Sequence, residues 1–376
     1  MAEEIPIRRV RANGTVDVIG HYGPTRRHLS LAEAGFPLLA AGEHDIDGDV
    51  PWVFYEMAPA GFIAKRFAGW YPDLHLPEDA RLWGQKQVLL AISACGHDLP
   101  GNLLVGEGSW QRYLRIFGPS RTPGPERTAA RREYVHFVND ILSEPGGSSV
   151  GGERPKFSLR LNDGGAVLVK FTPPLETVAG VRWGDLLRME QHASQTLRAA
   201  GVLSVTAQYV ELGSRGYLEI DRYDRLPGGG RCGATTFYFL GVGLYGEVSH
   251  APLVAQALVK DGHLTAEDAA LVDRVHRFSA ALGNTDAHLG NYGLLINDDG
   301  AVSLAPFYDI SPMVMAPRHD ELPDARLAPL PVPDAPTAAL VRDLRDRARA
   351  DNEISRSFLE TWERHVAAAF DKSTEP

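Results

Sequence analysis

Between Leu282 and Asp309 the chain reads LGNTDAHLGNYGLLINDDGAVSLAPFYD. Asp286 and Asn291 stand five positions apart, and Asp309 follows beyond a stretch with hairpin chemistry. Tyr292 to Ile296 is an apolar run, Asn297-Asp298-Asp299-Gly300 is a strong turn sequence, and Ala301 to Ala305 continues as a partner strand. Such a hairpin reverses the chain and can bring Asp309 back beside Asn291. Upstream, Thr265-Ala266-Glu267-Asp268 resembles a capping box, and Leu271, Val275, Phe278 and Leu282 form a helical stripe that runs into Asn284. The fold must therefore gather three oxygen-bearing groups beside the end of one helix.

Asp-x-x-x-x-Asn is the interval of a protein-kinase catalytic loop, where the aspartate takes the hydroxyl proton of the acceptor and the asparagine holds Mg²⁺. One carboxylate and one amide oxygen, completed by phosphate and water, suit that hard cation. Ordinary turn residues at Asn284, Asp286, Asn291 and Asp298 would give the same spacing, because Asx side chains bond their own backbone in loops. Other parts of the chain have to decide.

Ser148-Ser149-Val150-Gly151-Gly152-Glu153-Arg154-Pro155-Lys156 is small, polar and glycine-containing, and it precedes two strands split by Asn162-Asp163-Gly164-Gly165. Backbone N–H groups in such a loop can approach phosphate oxygens, although a plain linker looks alike. The second strand, Ala166 to Phe171, carries Lys170 at the end of an apolar run, as a phosphate-binding strand lysine or as one reaching solvent. In the helix that follows, Trp183 to Ala200, Leu186, Met189, Ala193 and Leu197 form the buried stripe. Glu190 lies beside that stripe, where it can pair with Lys170 or face solvent. Val205 to Leu212 and Tyr217 to Tyr223 read as two more strands, and the break after Asp221-Arg222-Tyr223-Asp224-Arg225 reads as a hinge between lobes.

The net charge of -10 argues against nucleic-acid binding by the whole molecule through phosphate neutralisation. Two cysteines, Cys95 and Cys232, make neither a disulfide framework nor a zinc site. With no run long enough to span a membrane and no leader-like N-terminus, the expected location is cytoplasmic, away from membranes. Arg8, Arg9 and Arg11 before Asn13-Gly14 read as a basic hairpin, either a solvated edge or the remnant of a winged-helix region. Gly241-Val242-Gly243-Leu244-Tyr245-Gly246 is a literal G-x-G-x-x-G, but it lacks a βαβ context and is expected to be a flexible surface loop after a short strand over Thr235 to Leu240. Residues 317–336, rich in proline and acid, should be an extended loop. Ile354, Phe358, Leu359, Trp362, Val366 and Phe370 mark a closing amphipathic helix.

Strand lysine, helix glutamate, hinge, Asp-x-x-x-x-Asn and later aspartate stand in kinase order. In wording, SSVGGERPK at 148–156, EIDRYDR at 219–225, and NTDAHLGN with APFYDISPM within 284–313 resemble the HipA-type serine/threonine kinases, toxins of type II toxin-antitoxin modules. The match looks closest to their YjjJ-like branch, whose members often occur without an adjacent antitoxin. The resemblance implies an α+β, two-lobed, protein-kinase-like fold with a mixed N-terminal domain and a mostly helical C-terminal lobe. The corresponding division is 1–50 for the basic hairpin, 51–123 for an α+β subdomain, 124–226 for the kinase N-lobe and 227–376 for the C-lobe.

The resemblance further implies ATP and Mg²⁺ as cofactors, with Asp286 as general base and Asn291 and Asp309 as metal ligands. Val150, Gly151, Gly152, Glu153, Arg154 and Lys156 would form the phosphate loop, Lys170 supported by Glu190 would bind phosphates, and Asp221, Arg222 and Tyr223 would meet adenine mainly through backbone. His288 would contact a phosphate or orient its loop, and Tyr308 would line the nucleotide site. Ser149, with Ser148 as its neighbouring competitor, matches an inactivating autophosphorylation site. Asp221 where many members have glutamate, and Gly290 where a basic residue is common, are departures. By analogy the partners are a protein substrate, such as an aminoacyl-tRNA synthetase or another translation factor, and an antitoxin where one is encoded. The rival reading is a nucleotide-binding pseudokinase or a DNA-associated co-repressor.

Overall fold

Asn13-Gly14 closes a hairpin between β1 (Ile5–Val10) and β2 (Val16–Gly23), with Gly14 at φ 83°, a left-handed turn conformation that glycine adopts without strain. In this computed structural model, residues 4–33, 38–48, 50–59, 61–79, 82–118, 123–143, 155–246, 250–317 and 329–371 are described. The sheet continues through β3 (His28–Leu31) and β4 (Gly42–Asp45), while β5 (Leu103–Val105) pairs antiparallel with β1, giving the order β4-β3-β2-β1-β5. Three helices accompany it, α1 (Gly61–Trp70), α2 (Gln85–Cys95) and α3 (Glu107–Phe117).

This arrangement corrects the division at residue 50. Val50, Val53, Phe54, Ile92 and Leu103 share one core with Ile7, Ile19, Tyr22 and Leu29, so the described residues on both sides of position 50 pack as one unit. β1 lies inside the sheet, and its hairpin is neither a solvated edge nor a free wing. Its arginines are also spent. Arg8 meets Glu107 at 2.8 Å, Arg9 is 1% exposed and meets Glu33 at 3.0 Å, and Arg11 meets Asp17 and Glu33 at 2.9 and 2.8 Å. Cations already paired with carboxylates have little charge left to offer phosphate.

A second sheet is sandwiched between helices. α4 (Arg127–Ser143) precedes β6 (Lys156–Arg160) and β7 (Ala166–Phe171), and α5 (Val178–Ala199) leads to β8 (Ala207–Leu212) and β9 (Arg215–Asp221), in the order β6-β7-β9-β8. Side chains alternate across a strand. Val167, Val169, Phe171 and Tyr217 turn toward Tyr134 and Val138 of α4, while Leu218 and Ile220 turn toward Leu187 of α5. That alternation delivers Lys170 to the α5 face.

α5 is rooted in the other lobe as well. Leu186, Met189, Ala193 and Leu197 belong to the core formed by the C-terminal helices. Asp185 accepts from the Ser355 backbone N–H at 2.8 Å and from its hydroxyl, His192 meets Asp351 at 2.8 Å, and Thr196 donates to Asp343 at 2.8 Å.

The C-terminal lobe contains β10 (Gly233–Thr236), α6 (Phe237–Leu240), α7 (Ala251–Lys260), α8 (Ala266–Ala281), β11 (Gly293–Ile296), β12 (Val302–Leu304), α9 (Ala335–Ala350) and α10 (Arg356–Asp371). β10, β11 and β12 pair in that order. Fully buried Phe278, Leu344, Phe358 and Trp362 form its centre, and the Trp362 indole donates to the Leu282 carbonyl at 3.0 Å. The expected loop at Gly241–Gly246 is instead helical: α6 runs on into a π turn over Gly241–Tyr245, and the strand before it stops at Thr236. A Cβ at Gly243 would lie 2.5 Å from the Trp52 ring, so this glycine permits close packing onto the N-terminal domain.

Candidate active site

Lys170 sits between two carboxylates. Its Nζ donates to both oxygens of Glu190 at 2.7 and 2.9 Å and to Oδ1 of Asp309 at 2.6 Å. Lys170 is 4% and Glu190 6% exposed, whereas the Asp309 side chain is 41% exposed and opens to the cleft. Burial by itself would discharge the Lys170 amine, but the charges of Asp309 and Glu190 overcome it and raise its pKa above the ordinary lysine value. Burial likewise works against the Asp309 carboxylate, and the neighbouring charge and hydrogen bond of Lys170, with the charges of Lys156 and His288, hold its pKa below the usual range. Asp309 has φ 60°, one of four non-glycine residues with positive φ among the described residues.

The predicted capping box starts α8, with Thr265 and Asp268 bonding reciprocally at 2.9 and 3.1 Å. The far end of that helix supplies the loop. Asn284, 7% exposed, donates its side-chain amide to Ser279 Oγ at 3.0 Å and to the Asp309 carbonyl at 3.2 Å, and its Oδ1 accepts the Asp286 N–H at 3.2 Å. Asn291 donates Nδ2 to the Asp286 carbonyl at 3.2 Å, leaving Oδ1 as the atom available to a cation. The Asp286 side chain is exposed. His288 accepts the Gly290 N–H on Nδ1 at 3.1 Å and so orders its own loop. Tyr308 donates its hydroxyl to the Gly290 carbonyl at 2.5 Å and faces Tyr223, ring centroids 6.0 Å apart.

Asn291, Tyr308 and Asp309 line one pocket with Ser279, Asn284 and Ala287. Its donor set, one amide oxygen and one open carboxylate, fits Mg²⁺, which retains water and takes phosphate oxygens. Among the described residues no cluster of three or more His, Cys, Asp or Glu side chains is arranged for a metal. Softer ions that need a full protein cage are a poorer match.

At the hinge, Asp221 pairs with Arg127 at 2.5 Å, and the Arg222 guanidinium is occupied by Asp224 at 2.9 and 3.0 Å. The N–H groups of Asp221 and Arg222 are bonded to the Thr206 and Ala166 carbonyls at 3.0 and 2.9 Å. The Tyr223 N–H finds no backbone acceptor among the described residues. Lys156 opens β6 in register with Lys170. Ser149, Val150, Gly151, Gly152, Glu153 and Arg154 lie outside the described residues. Sequence reasoning missed Asn284 as the residue that joins the two aspartate segments; its only signal was its place two residues before Asp286.

The geometry is that of a two-lobed, kinase-like α+β protein with its polar residues gathered where the lobes meet. A family model described as HipA-like C-terminal domain matches residues 148–372, and one described as YjjJ-like toxin, middle domain, matches residues 1–114. The chain belongs to the HipA-type toxin family. It is 30% identical over 284 residues to Toxin YjjJ of Escherichia coli (strain K12), a match covering 74% of this chain and 63% of that relative, so the chain spans less than two thirds of the relative's length. A chain in the solved complex of the Shewanella oneidensis MR-1 toxin-antitoxin system HipA, HipB and operator DNA superposes with a TM-score of 0.57 at 14% identity, covering 97% of both chains, which establishes the HipA-like fold. The Helicobacter pylori proinflammatory kinase CtkA covers 61% of this chain and 92% of its own at 13% identity, and its TM-score of 0.38 supports no argument.

Proposed function

We propose that this chain is an ATP-dependent serine/threonine protein kinase of the HipA type. The observation that carries the reading is Lys170 bridging Glu190 and Asp309, at 2.7 and 2.6 Å, with Asp309 lining one pocket together with Asn291. Phosphoryl transfer requires mainly positioning and neutralisation of phosphate charge, and these groups suffice for that.

Lys170 orients the nucleotide phosphates, and Glu190 holds Lys170 in place. Asn291 and Asp309 would hold Mg²⁺, which when bound would neutralise phosphate charge. Asp286, exposed to solvent, accepts the proton of the acceptor Ser or Thr hydroxyl as its oxygen bonds to the γ-phosphorus and the bond to ADP breaks. The Tyr223 N–H donates to the adenine ring, with Asp221 and Arg222 contributing backbone only. By family analogy residues 150–154 with Lys156 supply the phosphate-binding sequence, and Ser149 is the autophosphorylation site that switches the enzyme off, since a phosphate adds up to two negative charges that oppose those of ATP. The substrate is a protein, by family analogy an aminoacyl-tRNA synthetase or another translation factor, and an antitoxin is a partner where one is encoded.

Intact mass of the purified chain with and without Mg-ATP, followed by peptide mapping, tests this reading. A single added phosphate on Ser149, absent in Asp286→Gln, supports it. Nucleotide binding with no transfer by the wild type would instead favour a pseudokinase.

A further inference from the structure

The hinge is gripped from outside the kinase lobes. Asp98 ends a 3-10 turn over Gly96–Asp98, just after α2 in the N-terminal domain. Its Oδ1 accepts Nε and Nη2 of Arg225 at 3.0 and 2.9 Å and lies 3.3 Å from Nη1 of Arg222. Arg225 also donates to the Leu99 and Gly101 carbonyls at 2.7 and 2.8 Å, and the Gly101 N–H returns a bond to Asp224 at 2.9 Å. Arg231 reaches the His97 carbonyl at 2.8 Å. The side chains of Arg225, Asp224 and Arg222 are only 3%, 7% and 13% exposed and that of Asp98 is 31% exposed, so the bonds are sheltered on the arginine side and partly open on the Asp98 side.

Arg222 and Arg225 bracket Tyr223, whose N–H, like that of Asp224, finds no backbone acceptor among the described residues. We propose that Asp98 is a positioning residue for the nucleotide: without touching it, Asp98 sets adenine-nucleotide affinity by holding both arginines, and hence the Tyr223 backbone, against the turn over residues 97–101. This rests on the kinase reading above. It gives the N-terminal domain a part in nucleotide binding, carried by one carboxylate.

The test is the dissociation constant for a fluorescent N-methylanthraniloyl ATP analogue, read beside autophosphorylation at saturating ATP. Asp98→Asn should weaken binding about tenfold, the effect of one charge-assisted hydrogen bond, with turnover at saturation within twofold of wild type. Arg225→Lys keeps the charge but loses the planar fork and should weaken binding similarly, which covers the case in which Asp98→Asn does not fold. Asp298→Asn is the control, because it removes the charge behind another bond to the N-terminal domain, the one accepted from the Ala12 N–H at 2.8 Å, which involves none of Asp98, Arg222 and Arg225. Unchanged affinity in the first two variants, or an equal loss in Asp298→Asn, overturns the proposal. A wild-type chain that binds no nucleotide overturns the kinase reading, and the proposal with it.

Discussion

Asn284 donates its side-chain amide to the carbonyl of Asp309 at 3.2 Å, tying the turn that presents Asp286 to the segment that presents the second carboxylate. Asn284→Ala leaves buried Ser279 Oγ and the Asp309 carbonyl without this donor. We expect a stability loss of about 1–3 kcal/mol and a fall in phosphoryl transfer of about a hundredfold, with ATP affinity nearly unchanged. Denaturant melts and single-turnover transfer, measured on the same preparation, check it.

Asp286 reaches solvent, and little in the fold depends on its charge. Asp286→Asn should keep the wild-type melting temperature and nucleotide affinity while transfer drops at least a hundredfold, the usual worth of a general base. A variant that still transfers at near wild-type rate sinks the assignment.

Lys170→Met removes the ammonium that donates to both oxygens of buried Glu190. The expected loss is about 3 kcal/mol, as for other broken buried pairs. The pair also gives stability a pH window. Asp309, lowered in the folded state, contributes above the ordinary carboxyl pKa of about 4 and loses its contribution as pH falls through its folded value; Lys170, raised, contributes below about 10.4 and loses it as pH rises through its own. Wild type should therefore lose stability relative to Lys170→Met at both extremes of pH, a difference that melts across the range will read.

Glu56 accepts the Thr236 N–H and hydroxyl at 2.8 and 3.0 Å, and burial pushes its carboxyl up to about 7. Between its ordinary value of 4.5 and about 7 the folded chain holds a proton that the unfolded chain has released, so stability falls as pH rises through that interval. Glu56→Gln should flatten that slope and melt higher than wild type at pH 8. Parallel slopes in the two proteins would contradict it.

Local pattern sufficed for the residues that lie on regular elements. The period of two in Ala166 to Phe171 sends Lys170 to one face, and the stripe of α5 places Glu190 close enough to meet it. Pairing between distant segments left no such trace. β5 joins β1 from almost a hundred residues away, which is why the boundary at residue 50 fails. The glycines of 241–246 look like a loop until the Trp52 ring is set against Gly243. α9 buries Leu340, Val341, Leu344 and Ala348 among arginines and aspartates, and that thin stripe is hard to separate from the acidic, proline-rich stretch before it. Asn284 and Asp98 have the composition of ordinary turns, and only their partners far along the chain give them a role.

The helix bearing Glu190 is held by Ser355, Asp351 and Asp343 of the C-terminal lobe, as well as by the sheet it serves. In kinases controlled by swinging such a helix outward, its outer end must be free to move. Here the swing would tear three buried or half-buried polar contacts and strip Met189 and Ala193 from the lobe's interior at once. Under the proposed kinase function, tilting this helix would therefore be a costly route of control.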